Sequence, residues 1–100
     1  MDAEIKDNPV RHRYELQVDG QVAYLRYRRM PGVLTLVHTE VPKPLEGKGI
    51  GARLVRHVLD LARSEGMKVV PLCPFVVAWM KRHPEYDDMR VPAEEPGLRA

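Results

Sequence analysis

Three glycines alternate at positions 47, 49 and 51 within Glu46-Gly47-Lys48-Gly49-Ile50-Gly51, just ahead of a segment with helical apolar spacing. Such a loop lets backbone come close to a ligand, and the first amides of the helix behind it have no partner inside the helix. Those amides and the positive end of the helix dipole attract negative charge, so phosphate or pyrophosphate is the natural ligand. The plainer reading is a tight turn, but three glycines in five residues cost stability without packing anything. Two familiar phosphate loops are excluded. No Ser or Thr follows Lys48 as a P-loop requires, and Leu54 stands where a dinucleotide fingerprint needs its last glycine.

Other residues offer chemistry with a structural alternative beside each. Cys73 precedes Pro74 at a helix start, where the dipole can stabilise a thiolate; the alternative is a small buried hydrophobe. His38 and Glu40 share one face at the polar end of a strand, and either can take a proton from an attacking ammonium. Structurally, Glu40 would be a solvated strand end and His38 a hydrogen-bonded core residue. Arg53, Arg56, His57 and Arg63 form the polar face of a helix, with Lys48 and Arg53 placed to help at phosphates. The four histidines and one cysteine lack metal-ligand spacing, so no metal is expected.

The elements that position these residues follow from periodicity. Arg11 to Val18 alternates, and Asp19-Gly20 is a two-residue hairpin turn. Pairing Val18 with Gln21 puts Tyr14, Leu16 and Val18 on one face with Ala23, Leu25 and Tyr27, and Arg13, Glu15, Gln17, Arg26 and Arg28 on the other. Val33 to Val41 is a third strand, with Val33, Thr35, Val37, Thr39 and Val41 on one face and Leu34, Leu36, His38 and Glu40 on the other. From Gly51 to Glu65, Leu54, Val55, Val58, Leu59 and Ala62 recur at helical spacing, and Gly66 stops the helix. Met67 to Leu72 is a short strand parallel to the third. Pro74 opens a second helix through Phe75, Val76, Trp79 and Met80 to His83. The fold class is α+β: an antiparallel three-stranded meander, a helix, a parallel strand and a helix.

One hundred residues fit one domain, expected over residues 11–90 between flexible tails at 1–10 and 91–100. A net charge of +2 argues for neither a nucleic-acid nor a membrane partner. One cysteine, no signal-like apolar core and no membrane-length apolar run read as a soluble cytoplasmic protein, expected as a monomer or weak dimer.

Val41-Pro42 together with Gly47-Lys48-Gly49-Ile50-Gly51-Ala52-Arg53-Leu54-Val55 resembles the acetyl-CoA pyrophosphate motif of the GNAT acetyltransferase superfamily. His38-Thr39-Glu40-Val41, Pro71-Leu72-Cys73-Pro74-Phe75-Val76 and Arg82-His83-Pro84-Glu85-Tyr86 resemble a minimal GNAT subfamily, the YjdJ-like N-acetyltransferase domains. The resemblance implies the minimal GNAT fold, acetyl-CoA as cosubstrate, and a primary amine acceptor that can belong to a protein or peptide. It implies a pyrophosphate held by amides of Gly47, Lys48, Gly49, Ile50, Gly51 and Ala52. The pantetheine arm would lie between strands splayed near Val41 and Cys73, with Cys73, Glu40 and His38 as catalytic candidates. Transfer is either direct or through an acetyl-Cys73 intermediate. Glu46 departs from the usual Arg or Gln, and Met80 stands where many members carry a tyrosine acid. A CoA-binding or partner-binding module without catalysis is the competing expectation.

Overall fold

The computed structural model describes residues 4–91. Five strands, β1 (Ile5–Asn8), β2 (Arg13–Val18), β3 (Gln21–Met30), β4 (Val33–Glu40) and β5 (Lys68–Pro71), form one sheet in sequence order. The first four are antiparallel neighbours and β4 pairs with β5 in parallel. Helix α1 (Ile50–Ser64) connects that parallel pair, and α2 (Pro74–Lys81) follows β5. The expected three-stranded meander is thus corrected to four strands, and the expected tail at 1–10 contains β1. The tail expected at 91–100 lies, apart from Val91, outside the described residues.

The β2–β3 hairpin has the expected register, with Val18 opposite Gln21, Leu16 opposite Ala23 and Tyr14 opposite Leu25. Tyr14, Leu16, Ala23, Leu25 and Tyr27 are buried as the alternation requires. β1 is polar, and its hold on the sheet comes from elsewhere. Ile5 packs at the edge of the core, and the Tyr27 hydroxyl donates to Asp7 at 2.6 Å across β2.

β4 departs from simple alternation. Arg26 of β3 faces His38 while the next residue, Tyr27, faces Leu36, so Val37 is an extra residue in the ladder, a β-bulge. Residues opposite one another share a face. Thr39, opposite the buried Leu25, therefore joins Leu34 and Leu36 on the core side. His38 and Glu40, opposite Arg26 and Tyr24, turn to the outer side with Val37. The uniform two-residue alternation expected for Val33 to Val41 is corrected beyond Leu36.

In α1 the apolar stripe Leu54, Val55, Val58, Leu59 and Ala62 is buried, and full burial of one such side chain stabilises by about 1.5–3 kcal/mol. Gly66 ends the helix as expected. Its amide bonds the Arg63 carbonyl at 3.1 Å and that of Met67 bonds Ala62 at 2.9 Å, the paired bonds of a Schellman cap. The buried faces of α1 and α2 and the core side of the sheet make one cluster, closed by Tyr86 and Met89 after α2. Among the described residues no helix is long and apolar enough to cross a membrane.

Candidate active site

The glycine loop has the shape its composition demands. Gly47 and Gly49 sit at φ of 82° and 75°, the left-handed region that L side chains avoid. Gly49 is the N-cap of α1, and the helical ladder begins with the Arg53 amide bonding the Gly49 carbonyl at 3.1 Å. The amides of Ile50, Gly51 and Ala52 precede that bond and point out of the helix end. Gly51 serves differently: a Cβ there would lie 2.9 Å from Cζ of Phe75 and 3.6 Å from Val41, so its missing side chain lets Phe75 cross the helix start.

Beside the loop, β4 and β5 part. Their last backbone bonds run from the amides of Leu72 and Cys73 to the Leu36 carbonyl, at 3.0 and 3.1 Å. β4 continues for four residues, Val37 to Glu40, without a partner residue on β5. The space between holds a cleft of about 580 Å³ lined by Thr39 to Val41, Leu45 to Gly47, Gly49 to Ala52, Phe75, Trp79 and Arg82. That volume is ordinary for a small-molecule site.

Of the residues singled out from sequence, Glu40, Val41, Gly47, Gly49, Ile50, Gly51 and Ala52 meet in this cleft; His38, Lys48 and Cys73 do not line it. His38 is exposed rather than a core residue, and its imidazole bonds the Glu40 carboxylate at 2.9 Å between Nε2 and Oε1. Glu40 thereby links His38 to the cleft. Lys48 is exposed. Cys73 is buried as N-cap of α2, and its thiol donates to Thr39 Oγ1 at 3.5 Å. Burial pushes this thiol up, but the Thr39 hydroxyl and the amides of Val76, Phe75 and Thr39 outweigh burial and hold it below the ordinary cysteine value. Glu46 lines the cleft with a carboxylate, and Met80 is buried in the core. Among the described residues no group of three or more His, Cys, Asp or Glu is placed to hold a metal ion.

Sequence reading missed Thr39, Leu45, Phe75, Trp79 and Arg82 as lining residues. Thr39 was hidden by the bulge. Phe75 and Trp79 read as helix core, yet Phe75 is 41% exposed at the cleft. Trp79 is fixed by His83, which stacks on the indole at 3.7 Å and 12° while Nδ1–H donates to the Trp79 carbonyl at 2.7 Å. The Arg56 guanidinium lies 5.2 Å from the indole centroid.

A sequence profile for GCN5-related N-acetyl-transferases matches residues 13–89. The chain belongs to this family. Its fold is also that of a Staphylococcus aureus protein described as GCN5-like, whose NMR solution structure aligns with a TM-score of 0.72 at 24% identity over 99% of this chain and 98% of that one. No curated protein matches the chain. Membership in a family of N-acetyltransferases gives the cleft its context: the match spans β2 to the end of the turn after α2, and so includes every residue that lines it.

Proposed function

We propose that the protein transfers the acetyl group of acetyl-CoA to a primary amine. The observation that carries this reading is the union, in one cleft, of a glycine-capped helix start and a strand edge without a β-partner. The helix end suits the pyrophosphate, with Arg82 as a cation on the same cleft. The free edge of β4 from Val37 to Glu40 suits the pantetheine amides, which can pair with it as an added strand would. The residues present therefore fit acetyl-CoA, although Glu46 adds a carboxylate to the cleft lining next to the glycine loop.

The thioester end then lies toward Thr39 and Glu40. The acceptor arrives as an ammonium and must lose a proton before its nitrogen attacks the thioester carbonyl. With Nε2–H of His38 donating to Glu40, the free lone pair on Nδ1 can take that proton, and Glu40 can pass it by way of water. The new C–N bond forms as the C–S bond breaks, CoA leaves with the electron pair, and the second proton that the nitrogen sheds is taken up by the departing thiolate. Direct transfer, rather than an acetyl-Cys73 intermediate, is the course we propose, and the lining of the cleft by Thr39 and not by Cys73 supports it. Cys73 orders Thr39 and stays unacetylated.

Release of free CoA thiol over a panel of primary amines tests this reading. His38→Gln and Glu40→Gln should each lower kcat by about 100-fold or more while leaving acetyl-CoA affinity in place. Turnover unchanged in both variants would remove the pair from the mechanism. Binding of acetyl-CoA without thiol release for any amine would make the chain a CoA-binding module.

A further inference from the structure

On the outer side of the sheet, beside the His38–Glu40 pair, is a second cavity of about 660 Å³. We propose that it anchors the acceptor, and that the acceptor is therefore an amine that also carries a carboxylate or a phosphate. The inference rests on the acetyl-transfer reading and adds the substrate class.

The cavity is lined by Arg11, His12, Arg26, Arg28 and Arg29, over Tyr27, Met30 and Val37. No carboxylate lines it. Arg29, opposite Leu34 on the core side, is engaged by the Tyr14 hydroxyl at 3.2 Å and by Glu65 at 3.7 Å, whereas Arg11, Arg26 and Arg28 make no ion pair among the described residues. A solvated arginine face would lie flat. Here the Tyr27 amide bonds the His12 carbonyl at 2.8 Å, one step beyond the Arg13–Arg26 pair, so the β2–β3 ladder itself holds Arg11 and His12 of the β1–β2 turn at the cavity, which Met30 and Val37 also line. Gathered cations that outnumber the carboxylates around them select an anion, and guanidiniums bind carboxylate and phosphate in a forked geometry.

Position ties this cavity to the reaction. Arg26 is opposite His38 in the sheet, and Val37 is the bulge residue next to His38. Glu40, which His38 bonds, lines the acetyl-CoA cleft. The pair therefore stands between the two cavities, on the only carboxylate of that stretch of β4. Along β3, Arg26 and Arg28 lie two and four residues from Tyr24, the partner of Glu40. At about 3.3 Å per residue, the backbone positions of Arg26 and Arg28 lie roughly 7 and 13 Å along the strand from that of Tyr24, a spacing that a short amine with an anionic far end can span. A simple amine lacking the second charge would be held at one end only.

Matched acceptors test the proposal: aminocaproate against its neutral amide, and aminohexyl phosphate against aminohexanol. The expected result is a kcat/KM about tenfold or more in favour of at least one anionic member, and the two arms tell carboxylate from phosphate. Arg26→Gln with Arg28→Gln should erase that preference, while Lys81→Gln on α2 should leave it intact, with melting curves checking the fold of each. Equal kcat/KM for charged and neutral partners would overturn the inference and leave acetyl transfer standing. If no amine is acetylated, the functional reading fails. Amide shifts of Val37, Arg26 and Arg28 on adding aminocaproate would then mark an anion site that is no acceptor site, which also overturns the proposal.

Discussion

Gly49 and Gly51 stand two residues apart and answer to different forces. Gly49 holds a φ of 75° with open space around its missing Cβ, so its requirement is conformational. Gly49→Ala should cost about 1–2 kcal/mol in urea denaturation, the usual penalty for a side chain in the left-handed region. Gly51 has ordinary helical backbone, and a Cβ there meets the tip of Phe75 at 2.9 Å. That ring end is exposed and can turn aside, and alanine is favoured over glycine in a helix by up to about 1 kcal/mol. Gly51→Ala should therefore leave stability level or raised, and weaken acetyl-CoA binding in calorimetry because it crowds the cleft. The glycine turn and the helix start behind it were legible because local conformation is written locally. Phe75, Trp79 and Arg82 were not, since their place at the loop depends on packing between segments some 25 residues apart. For the Cys73 thiol, removing a hydroxyl that lowers it must raise it, so Thr39→Val should shift the pH profile of thiol alkylation to higher pH.

At the level of elements, the hairpin and α1 could be read from sequence because alternation and helical spacing report burial directly. β1 could not. Its residues Ile-Lys-Asp-Asn carry one apolar side chain, and a hydrogen bond to Tyr27, remote in sequence, secures it. Burial and the bond to Asp7 push the Tyr27 phenol up to about 12. A group whose value rises on folding adds stability below its unfolded value, near 10, and loses it as pH climbs through the folded one. Tyr27→Phe should cost about 1–3 kcal/mol at neutral pH and remove that alkaline loss from a stability–pH series. The bulge in β4 was equally hidden, because a period of two carries no mark of an inserted residue. Deleting Val37 keeps Leu36 opposite Tyr27 and His38 opposite Arg26, so the sheet should still form. The cleft wall from Thr39 onward would lose the bend and added twist that the bulge gives it, and turnover should fall by about 100-fold or more. Melting and thiol release on the same sample separate the two effects.

Over the whole molecule, one apolar cluster lies between the sheet and both helices, while the outer side of β2, β3 and β4 is exposed or half-buried. That division assigns the parts. The glycine loop and the free edge of β4 open at the end where the strands part, and Arg26 and Arg28 of β3 lie on the outer side with His38 and Glu40. A net charge of +2 carried no hint of this, since charge totals do not record which side of a sheet bears them. The central claim is that acetyl-CoA occupies the cleft between the glycine loop and β4. An amide NMR titration of the intact chain with acetyl-CoA tests it most directly. The largest shifts should fall on Gly47 to Ala52, Thr39 to Val41 and Phe75, with little change at Asp19 and Gly20 in the distant hairpin turn. Saturable shifts confined to other residues, or none at millimolar acetyl-CoA, would contradict it.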